Sequence, residues 1–364
     1  MSTHPDSIAI HHIGGRGGTF FLSDLTAFRE DFQVYLYDAD AACLDDLENA
    51  PNMHVLPYCV GECDAQSDFH IYYEQTNSSR RHLHPDYQEW WSGIDYCDIP
   101  LGQASQPVST QSLPMRCLDS ILHERPEVRP PDVLSIDAES TGVEIVEGAA
   151  QCIEKNVVCI VCEIEFMQWR QGQKYLPELL RLLAKDFHFA GYIRQDTEIS
   201  PFRAPLGFRG KEFPAANDAL FLRKKQSAPD LLKLAFIAFA TGFTEYGFHC
   251  LQGAELDERM ALCGDGRYTY MTFLRQLLNV FNASEHVHRL SFMDLNPTFE
   301  DSRCRRSRTT PPAHIAPMRS AMERKQLRMA AQRCTEFEQV FYAYGLPHIA
   351  RLIEDRRRTK EYYL

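Results

Sequence analysis

No run in this chain is long and apolar enough to cross a bilayer. The longest, Leu231 to Phe243, falls short of the roughly 20 residues a spanning helix needs. The first ten residues also show no basic region followed by an apolar core, so no secretory signal is expected and the chain reads as soluble and cytoplasmic. Twelve cysteines are present, yet none stands at the spacing of a disulfide framework. Cys159 and Cys162 do form a C-x-x-C, but inside the apolar run Val157 to Ile164 and with no second ligand pair at zinc spacing. They read as a reduced, buried strand. Positive charge is scarce too: 38 Lys and Arg stand against 50 Asp and Glu, a net charge of −12. Such a body repels phosphates, which excludes general nucleic-acid binding. The deficit is uneven. From Asp301 onward fourteen basic residues face seven acidic ones, giving +7 there and −19 over residues 1–300. The basic tail reads as solvated helix surface, with an acidic partner or an anionic membrane as the other reading.

With 364 residues, 44% of them hydrophobic and 24% charged, the chain has material for one large folded domain and a smaller one. Its organising stretch is Ile8 to Gly18. Ile8, Ile10 and Ile13 predict a buried strand, which stops at four glycines among the five residues from Gly14 to Gly18. Thr19 to Phe28 is expected to open a helix whose free N–H groups face whatever sits on the loop. A second strand, Gln33 to Tyr37, ends at Asp38, where an acid meets the ribose hydroxyls of a ligand held by the first loop. The dinucleotide fingerprint G-x-G-x-x-G fails because Phe20 stands where its last glycine belongs. A mononucleoside-like ligand such as S-adenosylmethionine is favoured over NAD.

Further along, Ala39 to Glu48 reads as a short helix, Met53 to Val60 as a third strand leading into Gly61 and Glu62, and Phe69 to Tyr73 as another β-rich run. Glu74 to Gly102 is polar and aromatic, a lid or substrate wall, with Trp90 and Trp91 either part of that wall or satellite core. Leu118 to His123 predicts a helix. The run from Asp132 then ends in Asp137 and Glu139, which an extended backbone would place on one face at the carboxyl end of a strand. Val143 to Glu154 predicts a helix, and Val157 to Ile164 a core strand that also finishes in carboxylates, Glu163 and Glu165. Leu176 to Lys185 is helical, and His188 to Ile193 with Ala219 to Arg223 form a closing strand pair. The alternation predicts an α/β fold with a mostly parallel sheet and helices on both faces over residues 1–226. Residues 227–364 are expected to be helical only. Leu231 to Leu251 has weak points at Gly242 and Gly247, and Phe236, Phe239, Phe243, Tyr246 and Phe248 pack as a stripe. Thr269 to Phe281 follows, then a basic, proline-containing linker over residues 301–317, and helices over Met318 to Tyr344 and Pro347 to Lys360.

These elements carry a pattern. Ile-Gly-Gly-Arg-Gly-Gly after the first strand, the acid after the second, Cys59-Val-Gly-Glu62, and Leu134-Ser-Ile-Asp-Ala-Glu-Ser-Thr-Gly-Val-Glu-Ile-Val-Glu-Gly-Ala149 occur in register. With Val158 to Glu163 and Asn217 to Leu222, they resemble the FkbM family of class I S-adenosylmethionine-dependent methyltransferases over residues 8–224. The resemblance implies a Rossmann-like sheet of about seven strands and O-methylation of a hydroxyl on a sugar, glycan or small metabolite. In that reading Gly14, Gly15 and Gly17 hold the amino-acid portion of the cofactor, Asp38 accepts from its ribose, and Gly61 and Glu62 border the adenine. Asp137 lies nearest the methyl group with Glu139 and Glu163 beside it. One of the three takes the substrate proton, or two bind a divalent cation that acidifies the hydroxyl; no dedicated metal site is indicated.

The family usually has an acid where this chain has His12, and Asp-x-Glu-Gly-x-Glu where this chain has Asp137 to Gly142 with Ser140 and Gly142 substituted. These departures support an alternative: a methyltransferase-fold protein serving as a binding or scaffolding module, with the helices of residues 227–364 meeting a protein partner or a second copy. Helix capping also remains open for Asp38 and Glu139. His11 and His12 read as satisfied buried histidines, and His70, His82 and His84 as candidate bases in the lid.

Overall fold

The computed structural model describes residues 6–16, 21–40, 52–85, 95–96, 99–193, 198–199, 213–252, 254–263, 268–282 and 335–361. Gly17, residues 41–48 of the helix expected over Ala39 to Glu48, Trp90 and Trp91, the linker over 301–317 and residues 318–334 of the helix expected over Met318 to Tyr344 lie outside them. The chain divides into two compact units. One holds residues 1–24 and 28–234, the other residues 25–27 and 235–364.

The first unit is built on a seven-stranded sheet. Its strands are β1 (Ile8–Ile13), β2 (Phe32–Tyr37), β3 (Met53–Leu56), β7 (Val133–Ile136), β8 (Cys159–Glu165), β9 (Phe187–Tyr192) and β10 (Ala216–Arg223). From one edge the order is β3-β2-β1-β7-β8-β10-β9, and every pair is parallel except those made by β10. All six residues of β1 and all four of β7 are buried, as befits central strands covered on both faces. Helices α1 (Leu118–Glu124), α2 (Gly142–Gly148), α3 (Ala150–Lys155) and α4 (Leu176–Leu183) accompany the sheet, and one core runs through Leu134, Ile136, Ile145, Ile160, Leu179 and Phe221. The sheet proceeds outward in one direction from β1 to β3 and in the other from β7. The crevice beyond the carboxyl ends of β1 and β7 is therefore the switch point where such sheets bind ligands.

Three expectations are corrected. The strand expected over Met53 to Val60 is two strands, with Pro57 between them. β3 stays in the main sheet, while β4 (Cys59–Gly61) joins β5 (Ala65–Tyr72) and β6 (Pro107–Cys117) in a separate three-stranded sheet of order β4-β6-β5. No regular helix follows the glycine loop in the described residues: Leu22 sits at φ +75°, in a turn over residues 21–24, and only a 3-10 helix at Thr26–Asp31 follows. The helix expected from Val143 is two short ones, divided at Ala149.

The second unit is helical in its described parts. Helix α5 (Leu231–Ala240) enters it, followed by α6 (Thr244–Leu251), α7 (Leu256–Cys263), α8 (Thr269–Asn282), helical residues 335–343 and α9 (Pro347–Glu361). Gly242, at φ +87°, ends α5 as its composition suggested. Gly247 instead lies inside α6 because the Phe239 ring comes within 2.9 Å of where its Cβ would be. Phe236, Phe239, Phe248, Phe273 and Phe341 form an aromatic cluster there, so Phe236, Phe239 and Phe248 of that stripe are packing. No helix among the described residues is long and apolar enough to cross a membrane.

Candidate functional site

The register of the sheet sets the site. Ile13 is level with Tyr37 on one side and Ile136 on the other, and Ile136 with Cys162. The residues that follow, Gly14, Asp38, Asp137 and Glu163, therefore emerge in a row along one edge of the sheet. Together they line a single cavity of about 520 Å³, with Glu139, Ser140, Glu165, Trp169 and Arg170. Its far wall is Gln75 to Arg80, at the start of the polar and aromatic insertion expected to be a lid or wall.

The glycine loop is built into the sheet rather than left open. The N–H groups of Gly14 and Gly15 both donate to the Tyr37 carbonyl at 2.9 Å. Gly14 has φ +93°, and a Cβ there would lie 1.7 Å from the Asp137 carbonyl oxygen. Glycine is required for close packing of β1 on β7 as well as for backbone freedom. Asp38, half-buried, accepts from the Asp40 N–H at 2.8 Å.

Gly61 and Glu62 are not among the lining residues, although Tyr58, Cys59 and Val60 are. A Cβ on Gly61 would collide with the Met115 sulfur at 2.3 Å, and exposed Glu62 pairs with Arg80 at 2.9 Å. Both His11 and His12 are buried and partnered, as expected. His11 is bonded to the Arg129 carbonyl and the Tyr37 hydroxyl, and burial pushes it down to about 3. His12 is bonded to Ser135, and its pKa is lowered by burial against the opposing pull of Asp137.

The two carboxylates of the Asp137 turn do not share a face by strand alternation. β7 ends at Ile136, and Glu139 (φ +45°) and Ser140 (φ +69°) are left-handed. The turn nevertheless brings Asp137 and Glu139 together with Glu163. Glu163 is held well above the usual carboxylate range, first by the charge of Asp137, then by burial and by Glu139 and Glu165; it also hydrogen-bonds to Asp137. Glu165 is pushed up to about 7, chiefly by burial, while the Ser140 hydroxyl that donates to it opposes the rise. Burial likewise raises Glu139, against the pull of Arg170. Glu139, Glu163 and Glu165 are thus all raised, with the Arg170 guanidinium beside Glu139 and Glu165 opposing the rise.

Ser140 and Gly142, the two departures in this turn, have structural reasons. Ser140 occupies a left-handed position and anchors Glu165, and a Cβ on Gly142 would lie 2.4 Å from the Cys162 sulfur. Cys159 and Cys162 are buried free thiols raised by burial, the inert strand pair their surroundings implied. No group of three or more potential ligands among the described residues is arranged to hold a metal ion.

Arg170 went unread in the sequence because it lies in an irregular stretch with no periodicity. It is 2% exposed and donates to Glu139 at 2.5 Å and to the Asn77 carbonyl at 2.8 Å. The only hint was a lone arginine five residues beyond a carboxylate-tipped strand.

Residues 33–193 match the methyltransferase FkbM domain. The matched stretch, a little under half of the chain, contains Asp38, Asp137, Glu139 and Glu163, and begins after Gly14. Strands β3, β7, β8 and β9 and nearly all of β2 fall within the matched stretch, while β1 and β10 lie outside it. Among solved structures the chain is similar to the methyltransferase FkbM from Methylobacillus flagellatus KT, at 16% identity and a TM-score of 0.33, over 60% of this chain and 44% of that one. The chain thus spans less than half the length of that protein. No curated protein gives a significant match.

Proposed function

We propose that this FkbM-domain chain is an S-adenosylmethionine-dependent methyltransferase acting on a hydroxyl of a sugar, glycan or small metabolite. One observation carries the reading: Gly14, Asp38, Asp137 and Glu163, spread over 150 positions, line the same cavity at the switch point of the sheet. The lining chemistry fits the cofactor. A cavity of about 520 Å³ is within the usual range for ligands of its size. Its carboxyl groups outnumber its guanidiniums, and Arg16, Arg80 and Arg170 are each paired to an acid, with Asp40, Glu62 and Glu139 respectively. A wall of this sign favours a ligand with sulfonium and ammonium charges. When bound, the cofactor supplies an activated methyl group on a positively charged sulfur.

In this reading Asp38 accepts from the ribose hydroxyls, and the turn at Gly14 lets the ligand lie close to the backbone. Glu163, held well above the usual carboxylate range by the charge of Asp137, hydrogen-bonds to Asp137 next to the reacting centre. Asp137 would take the proton of the acceptor hydroxyl as that oxygen accepts the methyl group the cofactor would supply. Gln75 to Ser79 form the wall that orients the acceptor. A cytoplasmic location, the division at residue 226, and a contact role for residues 227–364 belong to the same proposal.

Calorimetry with S-adenosylmethionine, S-adenosylhomocysteine and NAD tests it. Both sulfur ligands bind and NAD does not, and Asp137→Asn retains S-adenosylhomocysteine while losing methyl transfer by about 100-fold or more. Folded protein that binds neither sulfur ligand overturns the proposal. Binding without turnover on any hydroxyl acceptor, with Asp137→Ala silent in cells, transfers the case to the scaffolding alternative raised by Ser140 and Gly142.

A further inference from the structure

Arg170 is the cation embedded in the carboxylate cluster, and it also joins two loops distant in sequence. Its Nη2 donates to Glu139 Oε2 and the Asn77 carbonyl, its Nη1 to the Arg81 carbonyl at 3.5 Å, and its guanidinium lies 5.4 Å from the centre of the Tyr72 ring. The surrounding backbone repeats the link. Leu83 and Arg170 form an antiparallel bridge, Gln171 N–H donates to the His82 carbonyl at 2.8 Å, and His84 N–H donates to the Trp169 carbonyl at 2.8 Å. Ser79, on the same wall, donates from its hydroxyl to the Glu139 carbonyl at 2.8 Å. Glu139 is thus held from both ends by the wall and its clamp.

We propose that Arg170 is a positioning residue: it fixes Glu139 and the Asn77 to Arg81 wall as one unit and sets the charge state of the cluster facing the cavity. The inference rests on the methyltransferase reading for its purpose, but not for its test. The charged groups around Glu139 are Asp137 on its own turn, Glu163 and Glu165 on β8, and Arg170. On the wall stand Arg80 and Arg81, already engaged by Glu62 and Glu144, and on β5 His70, whose pKa burial lowers. Removing Arg170 therefore leaves no unengaged cation in that set to stabilise ionised Glu139. A lysine restores charge but, as a point donor on a flexible stem, does not reproduce the fixed fork that spans a carboxylate and two carbonyls.

The test follows the carboxyl carbons of glutamate labelled with carbon-13 by NMR from pH 4 to 9 in the full chain, with Glu139→Gln assigning the Glu139 signal. In Arg170→Gln the Glu139 midpoint rises by about one to three pH units. S-adenosylhomocysteine binding at pH 7 weakens about tenfold and recovers as pH rises through the new midpoint, since a midpoint that moves by about one pH unit changes the ionisation equilibrium tenfold. Arg170→Lys keeps the midpoint near that of the wild type, yet its affinity stays low. A folded Arg170→Gln protein with an unmoved Glu139 midpoint overturns the proposal. Should that variant fail to fold, Arg170→Lys decides: wild-type midpoint together with wild-type affinity overturns it. If the wild type binds neither sulfur ligand, the methyltransferase reading falls, while the Glu139 midpoint still decides whether Arg170 sets its charge.

Discussion

Strand β7 carries an acid at each end, and the two are treated in opposite ways. Asp132, just before its first residue, receives Lys233 Nζ at 2.8 and 2.9 Å, Arg129 at 2.9 Å and the Ala9 N–H at 2.8 Å. Asp137, just after its last residue, faces Glu139 and Glu163 instead. Burial pushes Asp132 upward, but the positive charges beside it pull it back; at the other end neighbouring acids add to the rise on Glu163. A buried acid whose cations are built in is part of the framework. An acid cluster with one cation among four carboxyls stores unfavourable charge, which a cationic ligand relieves.

The strongest way to break this comparison is to remove the two acids in turn. Asp132→Ala removes the closest acid from Lys233, 3% exposed, whose contact with Asp230 is longer at 3.8 Å, and should cost about 3 kcal/mol in urea unfolding. Asp137→Asn relieves like-charge repulsion and should cost less than about 1 kcal/mol by the same measurement. Equal losses would end the contrast. Gly14→Ala probes what does hold the carboxyl end, which is backbone packing. With φ +93° and a Cβ 1.7 Å from the Asp137 oxygen, it should lose about 3 kcal/mol and bind no S-adenosylhomocysteine.

A smaller effect sharpens the electrostatic side. Glu165 keeps its proton in the folded state up to about pH 7, against 4.5 when unperturbed. Between those values the folded chain binds the extra proton. The stabilisation is therefore complete below about pH 4.5 and is lost as pH rises through about 7. Across that window the ligand-free protein should lose on the order of 2–3 kcal/mol from this group. Urea unfolding of Glu165→Gln should show a flatter stability profile, because the amide cannot ionise.

The parts of the site legible in the sequence were those attached to strand ends. An apolar run that stops at Gly14, and others that stop at Asp38, Asp137 and Glu163, locate the carboxyl edge of a sheet once strand order is inferred, because register then brings them level. Glu139 was reached by a faulty route: alternation was assumed where the strand had already ended and Glu139 and Ser140 had turned left-handed. What stayed hidden depends on partners far away in the chain. Nothing near Arg170 announces that it will meet Asn77 and Arg81 some 90 residues earlier. Likewise, Met53 to Val60 looks like one strand until Pro57 and the pairing of Cys59 with Met115 divert its second half.

The Tyr37 carbonyl, which takes the amides of both Gly14 and Gly15, has a kinetic corollary. Those amides need no visiting molecule to satisfy them, so this part of the crevice floor is assembled at the moment the chain folds. Capture can then proceed as a simple encounter whose observed rate climbs in proportion to ligand concentration, without a preliminary ordering of the turn.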